Sequence, residues 1–135
     1  MNVLYTDIVG EMAGNPHCYC VQDDIFTKSD FISLHVPTCD APIINKETIA
    51  KMKDGAYIIN TSRGMLIDEG ALVEALDAGK RGGAGLDVYS EEPPKNEKIT
   101  KNPKISMSPH VGGSTSEAQK KIGAEIVSII SDFFA

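Results

Sequence analysis

The sequence predicts an α/β fold of parallel βαβ units, and three observations carry that prediction. Short apolar, β-rich runs alternate along the chain with amphipathic stretches of helical period. The connections between them are short, as where each helix returns the chain to begin another parallel strand. Neither the alternation of an antiparallel sandwich nor the sustained helical period of a bundle is present.

"NVLYTD" (2–7) and "DFISLHVP" (30–37) read as buried strands, each closed by polar or proline residues that stop a ladder. "NKETIAKMKDG" (45–55) follows as a short helix, with Asn45 as N-cap, Glu47 in the first turn, Lys51 and Lys53 near the end, and Gly55 as stop. "AYIINTS" (56–62) is the next strand. "DEGALVEALDAGK" (68–80) has Asp68 as cap, Leu72, Val73 and Leu76 on one face, and Gly79 as its C-terminal stop. "GAGLDVY" (83–89) and, after a polar loop, "ISMS" (105–108) are further apolar segments. A closing helix spans about 114–134: Ser114 and Glu117 have capping-box spacing, and Ile122, Ile126, Ile130 and Phe133 form one stripe.

With 135 residues the chain is about one domain long. Its 19 acidic and 13 basic residues give a net charge of −6 without any basic block, which argues against nucleic acid or an anionic membrane as partner and for a small molecule. No apolar run is long enough to span a bilayer, and "MNVLYTDIVG" lacks the features of a signal peptide, so a cytoplasmic location is expected. Cys18, Cys20 and Cys39 are an odd set that fits a reducing compartment. "HCYC" (17–20) is not expected to bind metal, because alternate residues of an extended segment point apart and no second ligand cluster follows.

In parallel sheets of this kind ligands bind beyond the carboxyl ends of the strands. The residues there are Asp7, His35 with Pro37, Thr61 to Arg63, Asp87 and His110. An acid such as Asp7 can accept both hydroxyls of an adenosine ribose, or merely cap a turn. Arg63 can grip a carboxylate through two parallel hydrogen bonds, or serve a surface ion pair. Asp87 can orient an amide or a sugar hydroxyl, or close its own turn. A histidine paired with a carboxylate is a workable general acid/base, and His110 has two candidates, Glu91 and Glu92, that spacing does not separate.

Five segments, "SDFISLHVPT", "INKETIAKMKDGAYIINTSRG", "LIDEGALVEALDAG", "GAGLDVYSEEPP" and "SPHVGGSTSEAQ", closely resemble in order and spacing the D-isomer-specific 2-hydroxyacid dehydrogenases. The resemblance implies a doubly wound, Rossmann-type domain that binds NAD, acting on a small 2-hydroxy or 2-keto acid, in a homodimer. Carried over position by position, it makes Arg63, Glu92 and His110 the catalytic set, and so favours Glu92 over Glu91. Arg63 would hold the acid, His110 would exchange the hydroxyl proton as hydride moves, and Glu92 would stabilise the imidazolium. Asp7 becomes the ribose acid and Asp87 a partner of the nicotinamide carboxamide. Thr61, Ser62, Arg63 and the stretch from His110 through Val111 and Gly112 to Gly113 would line the cofactor, with His35, Val36 and Pro37 near its adenosine half. "HVGGSTSEAQ" looks most like phosphoglycerate dehydrogenases, with hydroxypyruvate or glycerate reductases next; formate dehydrogenases differ in carrying glutamine at the position of Glu92.

The chain also departs from the family. It contains no G-x-G-x-x-G hexapeptide, the turn that presents backbone N–H groups to the cofactor pyrophosphate. The strand before that turn, central in the order 3-2-1-4-5-6, is expected to be missing with it, as is the substrate domain. Residues 1–135 are therefore expected to be the C-terminal part of a cofactor domain that by itself binds NAD poorly and turns over little. The other reading is a non-catalytic, nucleotide-sensing or protein-binding module, as in corepressors that resemble these enzymes. The segment "IVGEMAGNPHCYCVQDD" matches loosely and is given no role.

Overall fold

Four strands, β3 (Phe31–Leu34), β4 (Tyr57–Asn60), β5 (Gly83–Leu86) and β6 (Ile105–Met107), pair in chain order, and every ladder is parallel in this computed structural model, which describes residues 1–134. Parallel neighbours need a crossover each. These are α2 (Lys46–Lys51), α3 (Glu69–Asp77) and the single-turn α4 (Glu97–Thr100). Ile32, Ile58 and Ala84 stand side by side in register on one face, followed two residues later by Leu34, Asn60 and Leu86. That face meets Ile49 of α2, Leu72 and Leu76 of α3 and Ile99 of α4 in one apolar cluster. On the opposite face Phe31 and Tyr57 stack with ring centroids 5.2 Å apart but stay largely exposed.

The helix ends follow from local chemistry. Asn45 accepts hydrogen bonds from the Glu47 and Thr48 amides, while the Thr48 hydroxyl accepts from the Asn45 amide, so both orphan donors are met. α2 stops at Lys51, earlier than Gly55, which instead takes φ +79° in the turn into β4. Asp68 caps α3 by accepting from Ala71, and the helix ends just before Gly79 at φ +72°. At the closing helix, α5 (Ser116–Phe134), the expected cap is displaced by one residue. Ser114 is tied into the preceding turn through its amide and the Val111 carbonyl, and Thr115 Oγ1 accepts from the Ala118 amide.

Two features were not visible in the sequence. β1 (Leu4–Tyr5) pairs with β2 (Cys18–Tyr19), a strand too short to show any period, and α1 (Gln22–Lys28) follows, burying Phe26 in the main core. β1 and β2 form their own parallel pair, separate from the four-stranded sheet. The break falls between "NVLYTD" and "DFISLHV", where the resemblance places a central strand. The stripe of α5 is real, but Ile122, Ile126, Ile130 and Phe133 are all exposed and no residue of α5 is buried. No helix among the described residues is long and apolar enough to cross a membrane.

Candidate active site

The carboxyl ends of β4, β5 and β6 converge on a cavity of about 310 Å³ whose lining includes Arg63, Glu92 and His110. The buried side chain of Asn60, last in β4, shapes the first contribution. Its Oδ1 accepts the Ser62 amide at 3.0 Å and its Nδ2 donates to the Arg63 carbonyl at 2.8 Å, which bends the chain into a short 3₁₀ turn at Gly64–Leu66. The Ser62 hydroxyl donates to the Leu34 carbonyl at 2.7 Å and ties this turn to the end of β3. Gly64 is required by close approach: a Cβ there would lie 1.9 Å from the carbonyl carbon and oxygen of Tyr89. That contact brings the Arg63 turn against the loop bearing Glu92.

Asp87, nearly fully buried at the end of β5, organises the second contribution. Oδ1 accepts from the Ser108 hydroxyl at 2.5 Å and the Val111 amide at 3.0 Å, and Oδ2 accepts from the Gly112 amide at 2.9 Å. These bonds straddle His110, which sits at φ +54°, a left-handed conformation that costs a non-glycine residue about 1 kcal/mol or more unless its surroundings impose it. Burial alone would raise the Asp87 carboxyl; the Ser108, Val111 and Gly112 bonds and the nearby His110 outweigh it and hold it below its ordinary value. A carboxamide ligand would have to share a carboxylate already used by this turn.

His110 Nδ1 lies 2.7 Å from Glu92 Oε2, while Glu92 Oε1 accepts from the Tyr89 amide at 3.2 Å. The bond to His110, then that from Tyr89, hold the Glu92 carboxyl below the usual range. Glu91 instead pairs with Lys95, so the structure separates the two acids. With Nδ1 engaged, Nε2 is the imidazole nitrogen that makes no hydrogen bond among the described residues, leaving it available for proton exchange. Tyr89 joins the two loops, its buried hydroxyl facing the carbonyls of Leu86 at 2.9 Å and Ser108 at 2.8 Å; burial pushes its phenol up.

The remaining candidates stand around this centre rather than in it. Asp7 lies beyond β1, outside the four-stranded sheet, with Oδ1 accepting the Val9 amide and Oδ2 without a hydrogen bond among the described residues. His35 hydrogen-bonds through Nε2 to the Ser33 hydroxyl at 2.8 Å, Val36 packs on the core, and Pro37 is exposed. The exposed Thr61 hydroxyl makes no hydrogen bond among the described residues, and space is open around Gly113. The Arg63 guanidinium donates from Nη1 to the Ser62 carbonyl at 2.7 Å, leaving Nε and Nη2 without partners among the described residues. Among the described residues the Thr61 hydroxyl and part of the Arg63 guanidinium are free beyond the end of β4, while the Asp7 carboxylate stands apart beyond the β1–β2 pair. Asn60, Tyr89 and the cavity-lining Thr38 and Met65 were missed by sequence reasoning; of these, only the polar Asn60 closing the apolar run "AYIIN" left a signal, while Gly64 is readable from "NTSRG" as a glycine that lets the backbone turn closely. No cluster of metal-ligating side chains occurs among the described residues.

A parallel sheet with a carboxylate-paired histidine and an arginine beyond its strand ends defines a dehydrogenase-type nucleotide-binding domain. The chain belongs to the D-isomer specific 2-hydroxyacid dehydrogenases: residues 1–112 match the family model for their NAD binding domain. It is 50% identical to a hydroxypyruvate reductase of Thermotoga maritima, over 94% of this chain and 43% of that protein. It is 40% identical to D-3-phosphoglycerate dehydrogenase 1 of Saccharomyces cerevisiae, over 98% of this chain and 32% of that one. The crystal structure of Aquifex aeolicus D-lactate dehydrogenase complexed with NAD and lactic acid superposes with a TM-score of 0.83 at 34% identity, over 99% of this chain and 46% of that one. The chain thus spans less than half the length of each of these relatives.

Proposed function

We propose that this chain is the catalytic-histidine part of an NAD-dependent dehydrogenase that interconverts a D-2-hydroxy acid and its 2-keto acid. The observation that carries the reading is the 2.7 Å Glu92–His110 pair on the same cavity as Arg63. Asp7, Thr61, Ser62, Gly112 and Gly113 would hold the cofactor, which when bound supplies the hydride donor or acceptor. Arg63 would turn its unengaged Nε and Nη2 to the substrate carboxylate. His110 would take the hydroxyl proton at Nε2 in oxidation and return it in reduction, with Glu92 orienting the ring through Nδ1.

The pair favoured for the substrate is hydroxypyruvate and glycerate, with a 3-phosphoglycerate-like acid as the alternative: the chain is 50% identical to a hydroxypyruvate reductase and 40% identical to a D-3-phosphoglycerate dehydrogenase. Arg63 and His110 are the cavity-lining residues able to carry positive charge, and both are already used by the carboxylate and the reacting oxygen. The test is NADH oxidation by the intact protein and by His110→Ala with hydroxypyruvate and with its phosphorylated counterpart. Hydroxypyruvate should be preferred. His110→Ala should lower turnover on the order of 10³-fold while NADH binding is kept. Equal turnover in the variant would remove His110 from the chemistry, and a preference for the phosphorylated acid would overturn the substrate assignment.

A further inference from the structure

We infer that Glu69 is a positioning residue for the Glu92–His110 pair. Glu69 is the first residue of α3 and, among the described residues, makes no hydrogen bond to either member. Its Oε1 accepts both the Ser90 amide, at 2.9 Å, and the Ser90 hydroxyl, at 2.8 Å. Its Oε2 receives the Asn96 side-chain amide at 3.4 Å. Ser90 and Asn96 are the two feet of the loop that carries Glu92, so one carboxylate fastens both feet to one helix start.

The placement suits a carboxylate. The first turn of a helix favours negative charge, and hydrogen bonds to an ionised acceptor are stronger than neutral ones. The inner side of the same loop is held separately, by the Tyr89 amide on Glu92 Oε1 and by the Tyr89 hydroxyl between the carbonyls of Leu86 and Ser108. Between Tyr89 and Glu92 the backbone is therefore gripped from both sides. Without Glu69, the Ser90 amide loses its acceptor and the outer restraint goes, while Tyr89 remains. Glu92 then keeps its bond to Tyr89 but spends less time on His110 Nδ1.

The activity arm of the test rests on the dehydrogenase reading; the spectroscopic arm does not. In the intact protein, carboxyl-carbon NMR follows the titration of Glu92 in the parent, in Glu69→Ala and in His110→Ala as reference. Glu92 should titrate at higher pH in Glu69→Ala than in the parent, part of the way to its value in His110→Ala. The Ser90 amide should exchange about tenfold faster. Glu69→Gln, which keeps an oxygen to accept from Ser90, should restore most of both. Asn96→Asp, which preserves the α4 cap but sets a like charge against Glu69, should move both readouts in the same direction by less, and it decides the matter if Glu69→Ala does not fold. In turnover assays Glu69→Ala should lower kcat about tenfold with KM for NADH unchanged. A Ser90 exchange rate and Glu92 titration that match the parent in these variants would overturn the inference. Absence of turnover in the parent would instead remove the dehydrogenase reading and leave the spectroscopic result standing.

Discussion

Two buried charges flank β5, Arg81 just before it and Asp87 just after, and they are put to opposite uses. Arg81 lies at the amino end of the sheet. Its Nη1 donates to the carbonyls of Lys53 and Lys80 at 2.8 and 2.7 Å, and its Nη2 donates to Ile49, so it closes the carboxyl end of α2 and the turn into β5. Its ion pair is lopsided: Asp54 stands 3.5 Å away but is 92% exposed, while Arg81 is 1% exposed. Asp87 does the reverse at the carboxyl end, collecting donors from both sides of the strained His110 turn. One charge fastens scaffold to scaffold; the other fastens a reactive side chain to the scaffold. A parallel sheet separates stability from chemistry along its strand axis, and β5 shows both within seven residues, 81–87.

Removing Arg81 should therefore have the largest effect on stability and a small one on the site. Arg81→Ala strips donors from three carbonyls and leaves a void, at roughly 3 kcal/mol in chemical denaturation. The amide signals of Val111 and Gly112 should stay where they are. If those signals shift as much as those around Gly55, the two ends of the strand are not independent and the comparison fails.

Asp87→Ala comes next and should show the opposite pattern. Two amides and a hydroxyl lose a buried acceptor, at about 2 kcal/mol. The larger consequence is local, because the strained φ of His110 loses the bonds on either side of it and the turn should relax. Circular dichroism should report a folded protein, while turnover in the intact protein falls and the Glu92–His110 pairing weakens. A variant that loses stability but keeps full turnover would show that the turn holds its shape without Asp87.

The difference between the two ends also explains what the sequence could disclose. Strands such as "AYIINTS" and caps such as Asn45 and Asp68 were legible because each rests on nearest neighbours and a short-range period. Arg63, Glu92 and His110 became legible as a set through resemblance, and the structure brings all three to one cavity. Arg81 gave no signal, because an arginine between lysine and glycine reads as surface until the distant carbonyls of Ile49 and Lys53 are in place. Gly64 was legible as a turn glycine after Arg63, but the backbone it makes room for, at Tyr89, was hidden for the same reason, being far along the chain. Asp87 was read as a ligand-facing acid or a turn cap at a strand end; its three bonds to 108–112 depend on a loop geometry that no local pattern encodes. β2 and α1 fell in a segment without period, and the apolar stripe of α5, correctly placed, meets no buried surface in this chain.

The smallest expected effect, and the sharpest for the comparison, is one of pH. The hydrogen bonds that reach Asp87 depress its folded value below the ordinary 3.8 despite burial. A depressed carboxyl contributes its stabilisation fully above the unfolded value, and that contribution is lost as pH falls through the folded one. Acidification below about pH 4 should therefore release the turn at 108–112 while the amino end of the sheet stays closed, since the acceptors there are backbone carbonyls rather than a carboxylate. Glu92 titrates in the same direction on the other side of His110, so the two acids must be separated. In Glu92→Gln the amide signals of Val111 and Gly112 should still move with a midpoint below 3.8, and those of Gly55 and Gly82 should not. A midpoint at or above the ordinary carboxyl value would mean that the clamp contributes no net stabilisation to the ionised form, and the parallel drawn between Asp87 and Arg81 would reduce to burial alone.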